Sequence, residues 1–289
     1  MPPTDRDILI PLAERTLELA GRSIETYKME LWARHNAFLP TDKIPVSLTW
    51  ENIPDAVWEG IVGPARCAGD LARRIETTLR RRIWAAELIP DDHVVWPAVG
   101  VPAVHTPAHH DWGVDLRWAH AGEDLGSRAI IAPFADAIDL GRLRAPQTDV
   151  DEPATAAALD EAAELLAGRL PVYPVYGKLH EGPFEYVVEM RGLEQIFLDV
   201  YDRPAELHAL MEFATAAILA DHARRDAHGW VNAPADPSGR YQMVPTLRQI
   251  ATYLPAGGGR RVADERAYVH AQSAFGFGPR AYAEFVHPY

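Results

Sequence analysis

A chain of 289 residues with 48% hydrophobic and 24% charged side chains has the make-up of a globular protein with a sizeable core, one large domain or two ordinary ones. Its 41 acidic against 28 basic side chains give a formal net charge of −13, which repels phosphate backbones and argues against nucleic acid as a partner. No apolar run reaches the ~18 residues of a membrane span, the N-terminus lacks a secretory leader, and the lone cysteine, Cys67, allows neither an internal disulfide nor a cysteine-based zinc site; the expected compartment is cytoplasmic.

Residues 5–37 carry helical spacing in two stretches, with Leu9, Leu12, Leu17 and Leu19 in the first, Tyr27, Leu31 and Trp32 in the second, and Gly21 between them. Ile44 to Trp50 reads as a strand whose Pro45 fits only near a strand start or on an edge. A helix is predicted over about 65–87, bearing Arg73, Arg74, Arg80, Arg81 and Arg82. That basic cluster is read as a solvated helix face, with contact to an anion as the rival. His93 to Val99 follows as a second strand, and residues 100–128, rich in Pro, Gly, His and Trp, read as a long functional loop.

Ala129 to Phe134 has the look of a short strand, and Asp151-Glu152-Pro153 of a helix start that Gly168 ends. Leu170 to Tyr176 is the third main strand. Helices are expected over about 183–200 and from Pro204 to Gly229, and His208, His222 and His228 on the latter read as surface or packing residues. Residues 230–262 are irregular, and Ala267 to Gln272 is the fourth strand. The closing run opens a helix at Pro279 and presents Tyr282, Phe285, Val286 and Tyr289 on one apolar face, with no later segment to bury it. The chain therefore reads as the front part of a larger α/β domain, prone to self-association.

Strand-then-helix units repeated in this way predict parallel strands joined by helical crossovers, either half of an eight-fold barrel or a small doubly wound sheet. No G-x-G-x-x-G follows a strand and no G-x-x-x-x-G-K occurs, which removes the usual support for a dinucleotide or P-loop site.

The stretch Arg191-Gly192-Leu193-Glu194-Gln195-Ile196-Phe197-Leu198-Asp199-Val200-Tyr201-Asp202-Arg203-Pro204-Ala205-Glu206-Leu207-His208 resembles the uroporphyrinogen decarboxylase superfamily. Asp42 to Val46 is similar to the entry to that family's first strand, Gln272 to Gly276 to the serine-x-x-glycine ending its fourth, and Glu284 to Tyr289 to the helix after it. The resemblance implies an incomplete (β/α)8 TIM-type barrel: one domain over 1–289, with 1–40 helical and 41–289 holding about four barrel units. Chemistry would sit at the C-terminal ends of the strands.

The family includes metal-free decarboxylases and zinc methyltransferases acting with corrinoids or thiols. Its decarboxylases carry an Arg-rich segment after the first strand, where this chain has Trp50-Glu51-Asn52-Ile53-Pro54. An acid there repels a polycarboxylate, so the resemblance implies a divergent, methyltransferase-like member. Its partners are a small-molecule substrate and a corrinoid protein, with zinc and corrinoid belonging to a full-length form. Cofactor-free decarboxylation and a non-catalytic binding or assembly piece are the alternatives.

Glu51 and His180 are the catalytic candidates, each in a loop after a strand: a carboxylate to accept a proton, and a titratable pair, His180-Glu181, between glycines. Glu51 equally suits a helix cap, and His180-Glu181 a plain surface loop. Trp50, Asn52, Glu181, Tyr186, Gln272 and Ser273 are the substrate-binding candidates. In the family's decarboxylases the serine matching Ser273 holds a substrate carboxylate; its rival role is a helix N-cap. His105, His109, His110 and Asp111 are the densest set of ligand-type side chains, although Pro107 disfavours a regular zinc-binding helix; lining the loop or facing solvent is the alternative. No metal is expected in this chain.

Overall fold

The structure, a computed structural model, describes residues 3–36, 38–48, 53–106, 112–120, 128–177, 182–232, 261–262 and 270–289. It is mixed α/β and helix-rich, with no closed barrel among the described residues. The chain divides into two compact units. The first holds Met1–Val104, Asp151–Gly177 and Asn232–Gly259; the second holds His105–Val150, Lys178–Val231 and Arg260–Tyr289.

In the first unit, α1 (Asp5–Ala20) opens on a capping box in which Asp7 N–H donates to Thr4 Oγ1 and Thr4 N–H donates to the Asp7 carboxylate. Gly21 separates it from α2 (Ser23–Asn36), as its sequence position predicts. A short helix, α3 (Asp55–Val62), was not foreseen; α4 (Asp70–Leu88) matches the basic helix. The loop before α4 is tied by two carboxylates. Asp5 accepts Ala68 N–H at 2.7 Å and Gly69 N–H at 3.0 Å, and the fully buried Glu76 accepts Arg66 N–H and Cys67 N–H at 2.7 and 2.8 Å.

Two strands, β1 (Val99–Pro102) and β4 (Val172–Val175), pair in parallel, with Val99 opposite Val172. Helix α5 (Glu152–Leu165) precedes β4, capped by Asp151 accepting Ala154 N–H at 2.9 Å. Ile8, Leu9 and Ala13 of α1, Ala72, Ile75 and Leu79 of α4, Val99 and Val101 of β1, and Ala162 of α5 form one core. Burial of these faces, at roughly 25 cal/mol per Å² of apolar surface, holds the helices on the strand pair.

Of the four expected main strands, Leu170–Tyr176 alone holds its place, shortened to β4, while the short strand read at Ala129 to Phe134 is present as Arg128–Ile131. Within residues 44–48 and 93–98 no strand forms. The two segments do lie together, but Asp91 and Asp92 side chains take the backbone donors that a ladder would use. Val46 N–H donates to Asp92 Oδ2 at 2.9 Å, Leu48 N–H donates to Asp91 Oδ2 at 2.8 Å, and Asp92 N–H donates to Val46 O at 2.7 Å. Pairing starts only at Val99. The fourth segment, where described, is a 3-10 turn over Gln272–Gly276; residues 267–269 lie outside the described residues.

In the second unit, β2 (Arg117–His120) and β3 (Arg128–Ile131) form an antiparallel pair, placing short strands inside and just after the expected 100–128 loop. The predicted helix over 183–200 is broken into α6 (Pro183–Arg191) and α7 (Leu193–Asp202) by Gly192, whose φ of +85° lies in the region that favours glycine. Helix α8 (Pro204–His228) ends on left-handed Gly229. His208 on α8 packs, as read, on the ring of Phe285 at 4.6 Å.

The last helix, α9 (Pro279–Phe285), does find cover. Phe285 and Val286 are buried in the core that contains Leu207, Leu210 and Met211 of α8, and Tyr289 Oη lies 2.7 Å from His208 Nδ1. The expectation of an apolar face with nothing to bury it is thereby corrected for these two residues, because the preceding long helix supplies the partner.

Candidate functional site

Helix α6 starts where the loop after β4 ends. Pro183 sits in its first turn with its φ already helical, and Gly182 precedes it. A Cβ on Gly182 would lie 2.5 Å from His270 O, so only glycine lets these two backbones approach so closely. Glu185, in the first turn, reaches across to the 3-10 turn. It accepts Ser273 N–H at 2.9 Å and Ser273 Oγ–H at 2.7 Å, one on each carboxylate oxygen.

The platform beneath this contact is aromatic and apolar. Phe277 packs edge-on against Phe184 and Phe197, at 5.6 and 5.2 Å between centroids. A Cβ on Gly276 would meet the Phe197 ring at 2.7 Å, which leaves that position to glycine. Tyr186 lies on the buried Trp112 at 4.9 Å. Segments around 112, 182–186 and 270–277, distant in sequence, thus meet in one place.

Of the sequence-derived candidates, Tyr186 and Ser273 belong to this neighbourhood, and Gln272 lies on its exposed edge. His180 and Glu181 lie just before it, outside the described residues, as do Trp50, Glu51 and Asn52. His109, His110 and Asp111 are likewise outside. His105 is half-buried in a single bridge to Val150; burial first, then the Arg225 charge, keep its imidazole below the usual histidine range. Among the described residues no group of three or more His, Cys, Asp or Glu could hold a metal ion.

The arginine cluster of α4 is neither a purely solvated face nor free for an anion. Arg80 pairs with Glu76, and Arg81 pairs with Asp55 at 2.7 Å while stacking on Trp58. Arg82 donates to Trp96 O and Ala98 O, both at 2.8 Å, and Arg73 to Ala68 O at 2.5 Å. The Arg80–Glu76 pair is the contact that i, i+4 spacing allows, whereas the bonds of Arg73, Arg81 and Arg82 to loop carbonyls and to Asp55 are ones that this spacing does not reveal; Arg74 stays exposed.

Three residues that the sequence reading passed over matter here. Glu185 carried one signal, an acid in the first turn behind Gly-Pro, a position that usually serves its own helix. Arg191 and Asp199 were quoted only as parts of a motif. They form a buried bidentate pair at 2.6 and 2.9 Å, and Arg191 also donates to Phe134 O and, at 3.0 Å, to Ala135 O.

The chemistry open to the site follows from these bonds. Ser273 donates its hydroxyl proton to a carboxylate, a charge-assisted bond, and keeps lone pairs for an incoming donor. Among the described residues the bonds to the Ser273 side chain and amide come from Glu185. Comparison with known proteins returns no match, whether family model, curated protein or solved structure.

Proposed function

We propose that the chain is an enzyme of the uroporphyrinogen decarboxylase superfamily, of the methyltransferase-like kind, moving a methyl group between a small substrate and a corrinoid or thiol. The reading rests on the ordered motif resemblance. The single structural observation supporting it is the Glu185–Ser273 contact, which joins the serine of the Gln272–Gly276 motif to the first turn of the helix after β4. The finer fold, a (β/α)8 TIM-type barrel of which β1 and β4 are parallel staves, belongs to the same proposal; the crossover through α5 is in keeping with it.

In this reading Ser273 and Tyr186 contact the substrate, and Glu185 positions Ser273 from behind. The described residues do not fit a zinc centre. They hold no three-ligand cluster, and the one thiol, Cys67, is buried with its pKa pushed up to about 12, so it stays protonated.

The test is a pair of assays on the full chain: loss of methylcobalamin absorbance with a simple thiol as acceptor, and carbon dioxide release from uroporphyrinogen. Methyl transfer that falls about 10–100-fold in Ser273→Ala, the cost of one hydrogen bond to a charged group, is the expected result. Carbon dioxide release at about one per second would instead make decarboxylation the function. Silence in both assays would support the non-catalytic binding role.

A further inference from the structure

At the far end of α6 from Ser273, the second unit carries a cleft of about 530 Å³, within the usual range for small-molecule sites. Its rim is the β2–β3 pair, with Arg117 directly opposite Ile131. Its floor is the turn Ala132, Pro133, Ala135 and Ala137, and Arg142 closes the other side.

The floor is fixed from below. Phe134 N–H donates to Met190 O at 3.0 Å, and the fully buried Arg191 holds the Phe134 and Ala135 carbonyls while clamped by Asp199. Arg203 reaches Asp136 O at 3.4 Å. The Arg142 wall is fixed as well: Arg144 N–H donates to Trp112 O at 3.0 Å, and Gly113, with φ +81°, leaves only 2.5 Å between its would-be Cβ and Arg142 O. A cleft backbone pinned this way needs little reordering when a ligand arrives.

Four charges line the space. Arg117 is paired with Asp115 at 2.9 Å. Arg142 lies over the Phe134 ring at 5.4 Å. Among the described residues no carboxylate forms an ion pair with Arg142, and no cation forms one with the Asp136 carboxylate, whose charge acts on the buried Arg191 without an ion-pair contact. Among the described residues the lining therefore offers a guanidinium and a carboxylate outside any ion pair, together with the small apolar side chains of Ala132, Pro133, Ala135 and Ala137. A ligand of one sign would satisfy one and repel the other. Among the described residues no aromatic side chain lines the cleft to stack a base.

We propose that this cleft binds a small zwitterion of amino-acid type, its carboxylate on Arg142 and its ammonium on Asp136. The guanidinium takes a carboxylate through two parallel donors, and the Asp136 carboxylate accepts from the ammonium. The site is independent of the catalytic reading, since it lies at the Arg191 end of α6 whereas Glu185 and Ser273 meet at the opposite end.

Isothermal titration of the full chain with glycine, β-alanine and 4-aminobutanoate tests it, with acetate and methylammonium as single-charge controls. Expected is saturable binding of at least one zwitterion with Kd of about 1 mM or tighter, weakened about tenfold in both Arg142→Gln and Asp136→Asn. Ser273→Ala should leave it unchanged, which separates this site from the catalytic proposal. Both cleft side chains are exposed, so thermal unfolding of each variant should match the parent; if Arg142→Gln unfolds, Asp136→Asn carries the test alone. Absence of saturation by all three zwitterions, acetate binding as tightly as they do, or undiminished binding in a folded variant overturns the proposal.

Discussion

Replacing Asp199 with alanine tests how the second unit is held together. Arg191 is 1% exposed and Asp199 2%. The guanidinium has two bonds to the carboxylate and two to the Phe134 and Ala135 carbonyls. Removing the carboxylate leaves a buried cation facing carbonyl dipoles alone, and breaking a buried pair from one side costs about 3–5 kcal/mol. Against a total stability of about 5–15 kcal/mol this is a large fraction. At about 2–4 °C per kcal/mol for a domain of this size class, Tm should fall by roughly 6–20 °C. Urea denaturation followed by circular dichroism, with linear extrapolation, measures the loss directly. The double variant Arg191→Met with Asp199→Leu should cost less than Asp199→Ala, because it removes both charges and refills the space. An Asp199→Ala protein within about 1 kcal/mol of the parent, or a double variant at the sum of both singles, would refute the account.

Gly192→Ala should destabilise the chain by about 1–3 kcal/mol, since φ +85° with ψ 137° is a conformation that a side chain strains; denaturant midpoints decide it. Cys67 should not react with Ellman's reagent at pH 8 in the native protein, because burial above all, then the Glu76 carboxylate, pushes its thiol up to about 12. As pH rises past 9 the unfolded thiol ionises first, so the stability tied to Cys67 is lost between about pH 9 and 12; native labelling at the rate of free cysteine would contradict this. For Glu76 burial favours the neutral form, yet the Cys67 and Arg66 amides, the Cys67 thiol and the Arg80 charge outweigh it and hold the carboxyl below its ordinary 4.5. Its contribution is therefore present above pH 4.5 and lost as pH falls through the lowered value. Glu76→Gln should flatten that acid limb, as pH-dependent melting will show.

The helices were readable because their information is local. Thr4 with Asp7, Asp151 before Pro153, and Gly229 after α8 each act within one helical turn, and the apolar spacing of α1 and α4 fixes which face is buried. The sequence likewise placed β4, a β-rich run between a helix stop and a glycine. Ser273 stood out for its motif, and the structure puts it beside the first turn of α6.

Tertiary contacts decided the rest. Residues 44–48 and 93–98 have strand composition, but a strand exists only where a partner supplies its ladder, and here Asp91 and Asp92 supply the bonds instead. Gly192 split one helix into two because its φ is positive, which the letter G permits but does not demand. Arginines with the spacing of a solvated face turned inward to carbonyls of distant loops. Likewise Glu185, which by position should cap its own helix, bonds Ser273 on another segment. Periodicity and caps fix the elements themselves; which donor meets which acceptor depends on where the chain brings distant groups, and no local pattern encodes that distance.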